Sequence, residues 1–259
     1  MLSIVTPYFE DEEQLKRYIA QDCFDLVDEV IIVDDGSEVE HAKTILSDNL
    51  DPSIKNKFRI LRVSDNLGFN AHGCRNLGVQ QARSDWVLLI DVDMKFDKNF
   101  LLEAKKQIEN LPENTFLGFS FDTSSSPDLS GAYPASAYKV EPIEYNTYAI
   151  RKKDFLSTRG YDEEFVNIHG GSRVFVERLM TKYERIMCPN CSTAPARMSR
   201  EIRIIDGLEK VEYDQWFIYH PRTWDNVEQL LQMARERNEH PETWKEKSFI
   251  NFDWYEETI

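Results

Sequence analysis

The chain predicts an open α/β sheet, mostly parallel, with helices on both faces. Three observations predict it. Short apolar runs alternate with helical patterns through the first half, as strands joined by crossover helices do. Two of the runs are apolar at every position, the mark of strands covered on both faces. Polar and acidic residues recur just beyond each of the first four runs, where open parallel sheets bind ligands.

In order, Leu2–Val5 reads as the first strand and runs into Thr6-Pro7-Tyr8; Glu13–Gln21 follows as a helix. Val30–Val33 is the second strand, ending in Asp34-Asp35-Gly36-Ser37, where Gly36 suits a tight turn and Ser37 with Glu40 spells a capping box for a helix over Val39–Leu50. Phe58–Val63 is the third strand, more alternating, leading to Asp65-Asn66-Leu67-Gly68 and a helix over Ala71–Ala82. Trp86–Ile90 is the fourth, ending in Asp91-Val92-Asp93; a helix over Phe100–Leu111 and a fifth strand over Phe116–Phe121 complete this half.

Beyond Phe121 the pattern changes. Residues 122–131 are polar and rich in chain breakers. Tyr145–Ile150 is strand-like, while Lys152–Ser157 and Val174–Tyr183 are helix-like. From Thr223 the tail reads mainly as helix, with Asp225 or Asn226 as a cap and Leu230, Leu231 and Ala234 on one face. With no linker between two cores, one domain over 1–259 is expected, divided at 121 and at 222.

Composition narrows the function. In 259 residues, 41% are apolar and 30% charged, the mix of a soluble globular chain. Lys and Arg number 31 against 46 Asp and Glu, a net charge of −15, which disfavours a broad basic face for nucleic acid or anionic lipid. No apolar run approaches the roughly 18 residues of a membrane helix, and the start lacks a basic signal-peptide region. Four cysteines suit a reducing compartment, so a cytoplasmic protein is expected. Cys188-Pro-Asn-Cys191 has the form of half a zinc site, but the chain has no second pair.

Asp91-Val92-Asp93 carries the sharpest chemical signal. In extended conformation both carboxylates would share a side with Val92 opposite, and two adjacent acids at a buried strand end repel unless a cation lies between them. Oxygen donors suit Mg²⁺ or Mn²⁺; a solvated acidic turn is the plain alternative. Asp35 would accept hydrogen bonds from a nucleobase or ribose, and Tyr8 would stack on a base. Arg75 offers a planar fork for a diphosphate, or else pairs with a neighbouring acid. Lys152-Lys153 and the cations of Arg197–Arg203 form either a basic rim for an anionic acceptor or a solvated face. Four of the five tryptophans (Trp216, Trp224, Trp244, Trp254) fall near the end of the chain, suited to stacking on a sugar or to packing.

Three ordered signatures, Ser3–Tyr8, Ile31–Ser37 and Asn66-x-Gly68 through Arg75-Asn76-x-Gly78 into Leu88–Asp93, resemble the nucleotide-binding half of inverting glycosyltransferases of family 2. The resemblance implies a GT-A fold: a Rossmann-like, open, mostly parallel sheet with an elaborated C-terminal acceptor region. It also implies sugar transfer from a nucleotide-diphosphate donor, UDP-linked by preference, to an acceptor hydroxyl (of a glycan, a small molecule, a protein or a modified nucleic-acid base). Donor binding would fall to Thr6, Pro7, Tyr8, Asp35, Asn66, Gly68, Arg75, Asp91, Val92 and Asp93, with residues 1–121 as the nucleotide-sugar half, 122–222 as the acceptor side and 223–259 as a helical extension. Asp91 and Asp93 would hold the Mn²⁺ or Mg²⁺, with His220, a late His after a strand-like run, as third ligand or as a His packed beside Pro221.

The second half matches less closely. Arg159–Phe165 resembles the family's Gly-Phe-Asp-Glu segment, but where the family has Gly-Glu-Asp, with its basic carboxylate, this chain has His169-Gly170-Gly171-Ser172-Arg173. Inverting transfer needs a group to take the acceptor's proton. Asp162, Glu163, His169 and Glu177 are the candidates. A retaining enzyme, or a noncatalytic nucleotide-sugar-binding or scaffold protein, is the alternative.

Overall fold

In the computed structural model, which describes residues 1–121, 143–168, 170–195, 202–205, 208–211, 227–247 and 249–259, the apolar runs become the centre of one sheet. β1 (Leu2–Tyr8), β2 (Glu29–Asp34) and β4 (Trp86–Leu89) are buried at every position; β3 (Phe58–Val63) is buried at all but Arg59. The four lie parallel in the order β3-β2-β1-β4, with Val5 between Ile31 and Leu89. Crossovers α1 (Glu12–Ile19), α2 (Ala42–Asn49) and α3 (Ala71–Gln81) join them.

Successive strand residues face opposite ways and build two cores. Ile4, Ile32, Ile60 and Leu88 pack with α1, α2 and α4 (Lys98–Asn110). Val5, Ile31, Leu61 and Leu89 pack with α3 on the other face. There α3 approaches so closely that a Cβ on Gly78 would lie 2.3 Å from Val5 Cγ1, so the crossing requires glycine.

The remaining elements are β5 (Met94–Lys95), β6 (Thr115–Phe121), β7 (Ile143–Arg151), α5 (Lys152–Ser157), α6 (Gly171–Met180), β8 (Glu184–Pro195), β9 (Ile202–Ile205), β10 (Leu208–Val211), α7 (Val227–Glu239) and β11 (Trp254–Glu257). Among the described residues the main sheet runs β11-β3-β2-β1-β4-β7-β6-β8-β5, and β9 pairs with β10 separately. The predicted open, mostly parallel sheet is present. β7, however, inserts antiparallel between β4 and β6, so the fifth predicted strand is not the neighbour of the fourth.

The sequence expectations also differ from the structure at α2 and at the tail. The Ser37–Glu40 capping box does not form, and the helix starts at Ala42. Asp34 Oδ2 accepts from Ala42 N (3.0 Å), while the Glu10 carboxylate takes the N–H groups of Glu38, Val39 and Glu40. The last residues are not helical: Trp254–Glu257 pairs antiparallel with β3, and Arg59 ties it in through Glu256 (2.8 Å) and Glu29 (2.7 Å). α7 does present Leu230, Leu231 and Ala234 on one face, against Phe165 and Val174. Among the described residues, no helix is long and apolar enough to cross a membrane.

Candidate functional site

The carboxyl ends of β1, β2 and β4 meet the opening of α3. Asn70 caps that helix, its Oδ1 accepting from Gly73 N (3.3 Å). Asp35, fully buried just past β2, accepts from Asn70 N (2.8 Å) and so fixes the helix start against the strand end. Burial pushes the Asp35 carboxyl well above its ordinary value of 3.8, outweighing the Asn70 amide and the Cys74 thiol, which favour the charged form. Such a group binds a proton in the folded chain that the unfolded chain has already released. Stability therefore falls as pH rises above about 4 toward the folded value. Asp35→Asn removes this slope: in urea unfolding from pH 4 to 7, the wild type is expected to lose stability relative to the variant by up to about 1.4 kcal/mol per pH unit.

One turn along α3, Arg75 is 3% exposed and donates to Asp91 Oδ1. Its guanidinium lies 5.5 Å from the Tyr161 ring centroid, and its Nε is buried with no hydrogen-bond partner. The sequence left Arg75 as a diphosphate ligand or one half of an ion pair with an acid; the pair is formed, with Arg75 buried and Asp91 partly exposed. Asn146 Nδ2 donates to the other Asp91 oxygen (3.0 Å). No motif marks Asn146; it reaches Asp91 because β7 pairs with β4, a contact only the topology reveals.

The extended geometry expected for Asp91-Val92-Asp93 is not adopted. β4 ends at Leu89, and Met94 N donates to Asp91 O (3.1 Å), so both acids belong to a tight turn with Val92 packed into the core. Asp91 and Asp93 lie two residues apart at this turn. Among the described residues no group of three His, Cys, Asp or Glu side chains comes together as a metal site. His220, the expected third ligand, and His169 lie outside the described residues, as do Trp216 and Trp224.

Other expected donor contacts are used within the fold. Tyr8 is fully buried, its hydroxyl donating to Glu40 O (2.6 Å) and accepting from Asp11 N (3.2 Å), so its ring offers no stacking face. Thr6 bonds the Tyr18 hydroxyl (2.7 Å), and Pro7 is buried beside it in β1. Asn66 closes its loop by accepting from Gly68 N (3.0 Å); Gly68, at φ +89°, faces the Asn167 side chain.

Asp162 and Glu163 are engaged within the fold. Asp162 is fully buried between Arg178 (2.5 Å), Arg237 and Lys247 (3.8 Å). Glu163 accepts from Asn76 Nδ2 (2.8 Å), Ile250 N (2.6 Å) and Asn251 N (3.2 Å). Glu177 bridges Arg173 (3.0 Å) and Arg235 (3.4 Å) on the outer side of α6. The first turn of α6 carries no acid. Instead His72, 4% exposed, lies 3.2 Å from Ser172 Oγ; it sits inside a motif read for its Arg and glycines, and no spacing rule singled it out. Lys152 and Lys153 follow β7 at the opposite rim, beside Asp85 and the start of β4, where Lys152 Nζ donates to Ala82 O (2.6 Å). Arg197–Glu201 fall outside the described residues. Trp244 is core, donating to Arg237 O (2.9 Å), and Trp254 lies in β11. Cys188 and Cys191 are joined as a disulfide in place of half a zinc site.

Comparison with known proteins adds the following. The family model described as "Glycosyl transferase family 2" matches residues 3–175. No curated protein matches the chain in sequence. Among solved structures, TarS 1-349 from S. aureus is similar at 17% identity with a TM-score of 0.56, over 75% of this chain and 60% of that one. Its complex with UDP-GlcNAc gives 16% and 0.53, over 77% and 59%. The mannosyltransferase PcManGT from Pyrobaculum calidifontis, in complex with GDP-Man and Mn²⁺, gives 12% and 0.56, over 77% and 58%. At these identities the likeness is one of fold, and the chain spans about 60% of the length of these structures.

Proposed function

The chain belongs to glycosyl transferase family 2, and on that premise we propose that it transfers a sugar from a nucleotide-diphosphate donor, by preference UDP-linked, to an acceptor hydroxyl. The observation that carries this reading is the Arg75–Asp91 pair at the carboxyl end of β4, a buried guanidinium on a partly exposed carboxylate, with Asp93 two residues further along the chain. An interior guanidinium with an unmet Nε–H is a ready donor to an anionic oxygen, and a desolvated cation strengthens such a bond.

In this reading Arg75 grips the diphosphate, and Asp91 and Asp93 hold a Mn²⁺ or Mg²⁺ ion. The carboxylates suit a hard cation that takes its remaining ligands from phosphate and water, and the orphan Nε beside them suits a phosphate group. When bound, the ion supplies charge stabilisation for the departing nucleotide. Asn146 orients Asp91, and Asp35 fixes the α3 opening that borders the nucleoside. The buried β1 end (Thr6, Pro7, Tyr8) shapes this border without offering side-chain contacts.

Nucleotide release from a panel of nucleotide sugars, with and without Mn²⁺, tests the reading. Asp93→Asn is expected to abolish the metal-stimulated release; release at the wild-type rate overturns the assignment. The acid-free first turn of α6 favours a second reading, a nucleotide-sugar binder without transfer. Metal-dependent UDP binding with no release from any donor would select it.

A further inference from the structure

The Cys188–Cys191 pair stands outside the proposed donor site, yet it lies in a strand that leads back to it. β6 and β8 run parallel in register from Thr115 opposite Glu184 to Gly118 opposite Met187; pairing then resumes at Ser120 opposite Ser192. Between the matched positions β6 has one residue, Phe119, and β8 has four, 188 to 191. The cysteines are the first and last of these four, with Cα atoms 5.4 Å apart, so the bond between them closes the bulge at its base. Beyond it, Ala194 and Pro195 pair with Lys95 and Met94 of β5, directly after the turn that holds Asp91 and Asp93.

Both redox states have a place in this environment. Cys188 and Cys191 lie in the core with Met94, Phe96, Phe100 and Phe119. Carbonyl oxygens of Pro189 and Phe100 stand 3.8 and 4.0 Å from the two sulfurs, acceptors for the thiols that reduction would create. Cys188 is 5% exposed and Cys191 1%, but the flanking Met187 and Pro189 are exposed, so the bulge reaches the surface. The other two cysteines are poor partners: Cys23 and Cys74 are buried, and burial raises their thiols, Cys23 to about 12.

We infer that Cys188 and Cys191 form a thiol–disulfide exchange site whose oxidation fixes the β8–β5 register and with it the turn of Asp91 and Asp93. The reaction partner is a small dithiol or a dithiol protein. Its thiolate attacks Cys188 Sγ, the intramolecular S–S bond breaks, and Cys191 leaves as a thiolate that takes a proton. The partner's second thiol then attacks the mixed disulfide, releasing Cys188 as a thiol and the partner as a disulfide. In the reduced chain nothing closes the bulge, so its surplus length is free to slip along β6.

The test uses no sugar nucleotide, so its outcome is independent of the proposed donor site. After treatment with glutathione disulfide, alkylation under denaturing conditions is expected to label two cysteines; after a dithiol, four. Amide exchange in the Met94–Lys95 and 191–194 segments is expected to run about tenfold faster in the reduced protein, with β1 and β2 unchanged. The double variant Cys188→Ser, Cys191→Ser should exchange like the reduced form in either buffer. Four labelled cysteines after glutathione disulfide, or one zinc per chain in the untreated protein, overturns the exchange site. Equal exchange of those segments in both states overturns its coupling to the turn.

Discussion

Asp162→Asn is expected to lower the unfolding free energy by about 3–5 kcal/mol, the cost of removing one partner from a buried ion pair. Asp162, Arg178 and Lys247 are fully enclosed, and Arg237 is only partly exposed. The carboxylate is thus the anion shared by cations from α6, from α7 and from the segment after it. Glu164 reaches only Arg237 (3.1 Å) and does not replace it. Burial already pulls Lys247 down to about 8, with Asp162 opposing that shift; in the variant the opposition is gone and Lys247 gives up its proton closer to neutral pH. Urea unfolding at pH 7 measures the loss. A change below 1 kcal/mol would show that the cluster does not hold α7 to the fold, and would reopen a chemical role for Asp162.

On the proposed function, Arg75→Lys is expected to cut sugar-nucleotide turnover by about 100-fold to 1000-fold while leaving the melting temperature within a few degrees, the range found when one preorganised donor to a developing anion is lost. Lysine retains a charge for Asp91 but loses the planar fork and the Nε–H that the wild type buries without a partner. The loss should fall on kcat as well as KM, because the leaving diphosphate gains charge only as the bond breaks. Turnover within threefold of wild type in a folded Arg75→Lys protein would remove the diphosphate role.

The central sheet was legible because it is local. Runs such as Val30–Val33 and Trp86–Leu89 must be strands with both faces covered, and polar groups at their ends must gather on one rim. What escaped is set by pairing across long separations. β7 reads as a strand, but nothing in Tyr145–Ile150 says that it will run antiparallel beside β4 and deliver Asn146 to Asp91. The Ser37–Glu40 pattern satisfied a local rule, yet Glu10, 30 residues upstream of Glu40, captured the Glu40 amide and Asp34 took that of Ser37. Asp162 and Glu163 became candidates because they lie in the Arg159–Phe165 segment, close to where the Gly-Glu-Asp acid is missing. Their partners sit at positions 178, 237, 247, 76 and 250, and spacing along the chain does not gather those.

The antiparallel contribution of Trp254–Glu257 has a colloidal meaning. Phe58–Val63 would otherwise present a row of open amides and carbonyls along its flank, a template on which a second molecule's backbone readily docks. The tail acts as a guard rail, and clipping it would favour chains adding side by side into aggregates well before the interior melts.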